Sequence, residues 1–234
     1  MTRPESIENR WDILYAEYPE VYEAFMNVPY QPSVFDQIPG VIDLRGKIIA
    51  DVGAGTGRSS RALARTARRV IGIEYEPAML LQALQKKIGE EASRIAYLTG
   101  DALAIPLADD SVDMVTGFTL ALYPPERYRQ FIREGLRVAK GKVVFVGIPP
   151  GWYGGDLYSV IDNPYKDKID VETDRIFIEE FQFAHQDVFS DQEYGTIGNI
   201  VSIYGFIFGK KAIEHIRREK ITSIRWKYRV YWRE

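Results

Sequence analysis

The stretch IIADVGAGTGRSS, Ile48 to Ser60, constrains this chain more than any other. An apolar run ends in Asp51, and Gly53, Gly55 and Gly57 follow at alternate positions. Without a Cβ, glycine lets backbone approach a ligand closely. Ser59–Arg69 has helical composition, so the glycines form a turn between a strand and a helix. A helix start directs unpaired N–H groups at whatever such a turn holds.

The same strand-then-helix pattern repeats from Lys47 to Ile148. Lys47–Val52, Val70–Glu74, Ile95–Leu98, Val112–Phe118 and Lys142–Ile148 read as strands. Pro77–Ile88, with proline in its first turn, and Pro125–Ala139 read as helices. Short apolar strands alternating with helices predict a mostly parallel sheet covered on both faces. Right-handed crossovers make it a doubly wound α/β fold. Ligands in such folds sit at the carboxyl ends of the strands, where the glycine turn lies.

The flanks are less regular. Two helix-like pieces, split at Pro19, come first. Trp11, Tyr15, Tyr18, Tyr22 and Phe25 recur at steps of four and three and are expected on one helical face. After the core, PPGWYGG (Pro149–Gly155) reads as turns and Arg175–Val188 as a strand. Glu193–Glu219 reads as two helices broken at Gly209. In the last strand Ile224, Trp226, Tyr228, Val230 and Trp232 alternate with Arg225, Lys227 and Arg229, which predicts a half-buried strand with a solvated basic face. We expect one domain of 234 residues: 1–46 helical, 47–148 the ligand-binding core, 149–234 the closing strands and cap helices.

The turn discriminates among ligands. A phosphate-cradling loop needs Gly-x-x-x-x-Gly-Lys, and a dinucleotide fingerprint needs Gly-x-Gly-x-x-Gly. Both fail at Arg58, five residues after Gly53. What remains is a nucleoside without a pyrophosphate. Glu74 closes the second strand, where a carboxylate can accept from both ribose hydroxyls. Asp101 follows the third strand and can meet an adenine amino group. Asp51 can meet a cationic amino group, directly or through water, whereas beside a pyrophosphate it would repel.

Taken in order, Asp51–Gly57, Gly72–Tyr75, Gly100–Ala102 and the Asp109–Val115 run resemble the motifs of the class I S-adenosylmethionine-dependent methyltransferases. The resemblance covers residues 47–148. It implies a seven-stranded sheet with its last strand antiparallel, which suits Ile224–Trp232, and an N-terminal helical lid. It implies S-adenosyl-L-methionine as cofactor, with S-adenosyl-L-homocysteine as product. The cofactor-binding residues carried over are Asp51, Gly53, Ala54, Gly55, Thr56, Gly57, Glu74, Tyr75, Asp101, Ala102 and Thr119. In the lid, Tyr15 and Tyr18 are the candidates for lining an acceptor pocket. RVAKGKVVFV replaces the family's usual Pro-Gly-Gly turn before the fifth strand.

A sulfonium donor brings its own reactivity, so a methyltransferase needs alignment more than a catalytic side chain. No catalytic residue is assigned; His185, His215 and the early tyrosines are the available bases. The chain has no cysteine, which excludes covalent methylation of cytosine C5, disulfides and thiolate metal sites. No metal is expected. GFTLALYPP stands where amino-group methyltransferases of this family place Asn/Asp-Pro-Pro-Tyr/Phe, and DNPY (Asp162–Tyr165) reads as a turn. A net charge of −3 gives no case for nucleic acid, although residues 210–234 hold nine Lys and Arg against three acids. No apolar run is long enough to span a bilayer and no signal core opens the chain, so a cytoplasmic enzyme with a small-molecule acceptor is expected. The acceptor, the methylated atom and the oligomeric state are left open by the residues. Three rivals remain open: a non-catalytic sensor or partner subunit that binds S-adenosylmethionine, a nicotinamide-dependent oxidoreductase, and an aminopropyl transferase.

Overall fold

The computed structural model describes residues 4–7, 10–86, 89–161 and 169–234. In chain order the helices and strands are α1 (Trp11–Glu17), α2 (Pro19–Asn27), β1 (Tyr30–Gln31), α3 (Val34–Val41), β2 (Ile48–Val52), α4 (Arg58–Ala64), β3 (Arg69–Glu74), α5 (Pro77–Gln85), β4 (Ile95–Thr99) and β5 (Val112–Phe118). There follow α6 (Arg127–Val138), β6 (Ala139–Gly147), α7 (Ile169–Arg175), β7 (Ala184–Glu193), α8 (Ile197–Ile200), α9 (Phe206–Phe208), α10 (Lys210–Glu219) and β8 (Ser223–Arg233).

Among the described residues the strands form one eight-stranded sheet, ordered β1-β7-β8-β6-β5-β2-β3-β4. From β4 to β6 neighbours run parallel, and β8 returns antiparallel to β6. The doubly wound expectation and the antiparallel last strand hold; the count of seven does not. The extra strand is β1, two residues paired antiparallel with Asp191 and Gln192 of β7. Two residues between Pro29 and Pro32 are too short to show alternation in a sequence. The register matters for the site: Asp51 lies between Gly72 of β3 and Thr116 of β5.

The chain divides into two compact units. One comprises Phe35–Ile148, Val171–Val188 and Arg229–Glu234. Its central strands are buried on both faces, as a parallel sheet requires. Along α6 the inward residues are Tyr128, Phe131, Ile132, Gly135 and Val138, the spacing of one helical stripe. Phe145 of β6 stacks on Phe177 with ring centroids 4.7 Å apart, and Tyr128 meets Phe145 edge-on at 5.4 Å. Phe177 does not belong to a strand as expected: α7 continues as a π-turn over Ile176–Glu180, and β7 begins only at Ala184. Acids and bases hold that helical end. Arg129 of α6 pairs with Glu172 and Glu180, and Arg175 pairs with both as well.

The other unit comprises Met1–Val34, Pro149–Asp170 and Phe189–Tyr228. Its centre is Phe208, whose ring meets Trp11, Phe25, Tyr153, Tyr204 and Trp226. The break at Gly209 is real, with φ 94°. The buried amide of Gln192 donates to Phe25 O and accepts from Tyr194 and Trp226. The basic face of β8 is not simply solvated. In this unit Arg225 lies over Phe189 at 4.8 Å and Lys227 over Trp152 at 4.8 Å. In the first unit Arg229 pairs with Asp174 and Asp187, each at 2.6 Å. The sequence DNPY lies outside the described residues.

Candidate active site

The turn after β2 is built from its own sequence. Gly53, Gly55 and Gly57 have φ of 72°, 55° and 78°, values that side chains disfavour. Gly53 and Ala54 N–H both donate to Ile73 O, fastening the turn to β3. Beneath it Asp51 is fully buried. Its Oδ2 accepts from Ser59 and Ser60, both at 2.6 Å, and its Oδ1 from Thr116 at 3.3 Å. The two serines open α4, so the carboxylate ties the end of the strand to the start of the helix. Burial pushes the Asp51 carboxyl up to about 6, and the nearby Glu74 charge adds to the rise; the three hydroxyls act in the opposite sense.

The glycines differ in what surrounds them. A Cβ on Gly53 would lie 2.5 Å from Leu120 Cδ1, and one on Gly57 would fall on the Tyr97 hydroxyl. At Gly55 a Cβ would meet nothing within 4 Å. The turn is therefore closed on both shoulders and open at its crown. Glu74 sits at that crown. Its Oε2 accepts the Gly55 N–H at 2.7 Å and its Oε1 the Glu76 N–H at 2.9 Å. Each carboxylate oxygen has a second lone pair, so two backbone bonds orient the group without exhausting it.

Gly100 N–H donates to Glu74 O, which brings Asp101 to the same end of the sheet. Asp101 Oδ1 accepts from Leu103 N–H at 2.9 Å. Three α6 side chains at i, i+4 and i+7 grip this loop: Gln130 donates to Leu103 O, Glu134 accepts from Ile105 N–H, and Arg137 donates to Ile105 O and Leu107 O. Ala102 is buried, Tyr75 is 71% exposed, and Thr56 O accepts from Arg61. Thr119 is exposed and holds a φ of 46°.

Tyr18 packs edge-on against Phe206 at 5.1 Å in its own unit; the side chain of Tyr15 lies outside the described residues. Tyr18 also interrupts the helix, with φ −133°, so the aromatic residues of α1 and α2 do not form one continuous stripe. His185 is exposed, and His215 Nδ1 receives Arg218 at 2.8 Å. Sequence reasoning missed Leu120, Tyr97, the Ser59–Ser60 pair and the α6 grip. The serines and the Gln130, Glu134, Arg137 spacing were visible signals; the contacts of Leu120 and Tyr97 were not. Among the described residues no cluster of three or more acidic or histidine side chains is placed to hold a metal, and no helix is long and apolar enough to cross a membrane.

Residues 49–142, all within the first unit, match the family model described as a methyltransferase domain. The chain carries a class I, Rossmann-like methyltransferase domain. An uncharacterized methyltransferase of Mycobacteroides abscessus is 36% identical over 108 residues, covering 46% of this chain and 41% of the relative. A demethylmenaquinone methyltransferase of Thermobifida fusca is 33% identical over 95 residues, 41% of this chain and 40% of the relative. The chain thus spans about two fifths of the length of these two curated relatives. The ubiquinone/menaquinone biosynthesis C-methyltransferase of Paracoccus denitrificans is 30% identical over 172 residues, 69% of this chain and 66% of that protein. Among solved structures, the YcgJ protein of Bacillus subtilis covers 85% of this chain and 95% of its own, with a TM-score of 0.58 and 16% identity. A methyltransferase of Aquifex aeolicus covers 75% and 89%, with a TM-score of 0.52 and 18% identity. At such identities the structural likeness speaks for the methyltransferase fold. The open crown and the oriented Glu74 carboxylate of the methyltransferase domain fit a ribose, and the site's acids fit a cationic nucleoside.

Proposed function

We propose that the methyltransferase domain binds S-adenosylmethionine at the crown of the glycine turn and transfers its methyl group to a small-molecule acceptor. The observation that carries this reading is Glu74, fixed by Gly55 and Glu76 N–H beside the open face of Gly55. The cofactor, when bound, supplies an electrophilic methyl group. The chain's part is to hold and align. Glu74 would take the ribose diol and Asp101, on its gripped loop, the adenine amino group. Asp51 would act from below, by shaping the turn and by its negative charge. Alignment of donor and acceptor supplies the rate, and no side chain is assigned as base.

For the acceptor we favour an electron-rich ring of the quinol type, methylated at carbon. Support comes from the relatives named for demethylmenaquinone and for ubiquinone/menaquinone biosynthesis. The test is transfer of labelled methyl from S-adenosylmethionine to a short-chain demethylmenaquinol. Label extracted with the ring supports the reading. Binding of the nucleoside without transfer to any quinol would overturn the acceptor class and favour a sensor or partner subunit.

A further inference from the structure

The corner after β5 belongs to the site as much as the glycine turn does, and a buried tyrosine controls it. Thr119 takes a left-handed φ of 46° without being glycine or asparagine. Such a conformation persists only where neighbours impose it. Two hydrogen bonds do so. Thr119 N–H donates to Val146 O at 2.7 Å, and the Tyr128 hydroxyl donates to Leu120 O at 2.6 Å. Tyr128 is itself immobilised, 6% exposed, with its ring edge-on to Phe145 and Phe177. The outcome is the placement of Leu120, whose side chain lies along Gly53.

The flank is informative. β5 borders β2 on the side away from β3 and β4. Glu74 and Asp101, the acids suited to ribose and adenine, lie on the β3–β4 flank. Leu120 therefore stands on the opposite flank, where the remaining part of a sulfonium nucleoside, its sulfur and amino-acid chain, would extend. We propose that Leu120 is the apolar wall against that end of the cofactor, and that Tyr128 is its positioning residue. An apolar wall excludes water beside the sulfur without competing for its charge. This inference rests on the proposed function above.

The experiment is calorimetric titration of the whole chain with S-adenosylhomocysteine and with adenosine, which keeps adenine and ribose but lacks both the sulfur and the amino-acid chain. Tyr128→Phe keeps the ring and removes the hydroxyl donor to Leu120 O; Leu120→Ala removes the wall, and because Leu120 also packs against the core its titrations are run at a temperature where the variant is folded. Both variants are expected to bind S-adenosylhomocysteine about tenfold more weakly, as one lost hydrogen bond or a truncated apolar contact would cause. Their affinity for adenosine should match that of the unaltered protein. Equal weakening of both ligands, or of neither, would overturn the inference while leaving the proposed function standing. Failure of the unaltered protein to bind either ligand would overturn both.

Discussion

At the scale of single residues, Asp51 makes the sharpest prediction. Its folded carboxyl titrates near 6, above the ordinary value of 3.8, because burial disfavours the charge. Protonated, it costs little to bury. Its stabilising effect is therefore complete below about pH 4 and is lost as pH rises through 6, amounting to about 3 kcal/mol at neutral pH. Asp51→Asn cannot ionise. Denaturant titrations of both proteins from pH 4 to pH 7 should show the variant gaining on the unaltered protein as pH rises. A constant difference across that range would refute the assignment. Gly57 gives a second test. A methyl group there would need a φ of 78° and would fall on the buried Tyr97 hydroxyl, which has no hydrogen-bond partner among the described residues. Gly57→Ala should cost about 1–3 kcal/mol, and adding Tyr97→Phe should restore part of it. Equal thermal unfolding of both variants would show that the hydroxyl is not the obstacle.

At the scale of elements, α6 does the work that the strand ends cannot do alone. Its apolar stripe enters the core while Gln130, Glu134 and Arg137 hold the loop bearing Asp101. Arg137 also pairs with Asp109 at 2.7 Å and with Glu134 at 2.7 Å. Arg137→Ala removes donors from two backbone carbonyls and should cost about 1–2 kcal/mol. Because the loss falls on the Asp101 loop, adenosine-containing ligands should weaken alongside, read by calorimetry at a temperature where the variant is folded. Unchanged ligand affinity with reduced stability would separate the grip from the site. β8 offers a comparison. Arg229, 16% exposed in its side chain, neutralises Asp174 and Asp187. Arg229→Ala removes the guanidinium shared by two part-buried carboxylates and should cost roughly 2–4 kcal/mol in chemical denaturation.

At the scale of the molecule, the parallel core was legible because its signals are local. Each apolar run is a strand, each break a turn, and Gly53–Gly57, Glu74 and Asp101 fall at strand ends by spacing alone. What was illegible depends on contacts distant in sequence. β1 exists only by pairing with β7, 160 residues on by register from Gln31 to Asp191. The helical turn Ile176–Glu180 is tied through Glu180 to Arg129, 51 residues earlier. Leu120 meets Gly53 through a corner that no turn residue announces. The division into two units, with boundaries inside β7 and β8, interleaves segments that a linear reading assigns in blocks. The proposed function stands or falls with the crown beside Gly55 and Glu74 as a site for a sulfur nucleoside. Calorimetric titration with S-adenosylmethionine and S-adenosylhomocysteine, with NAD as control and Glu74→Ala alongside, tests it most directly. The account predicts saturable binding of both sulfur nucleosides, weakened at least about tenfold in the variant, and none of NAD. Tight binding of NAD, or nucleoside binding indifferent to Glu74, would contradict it.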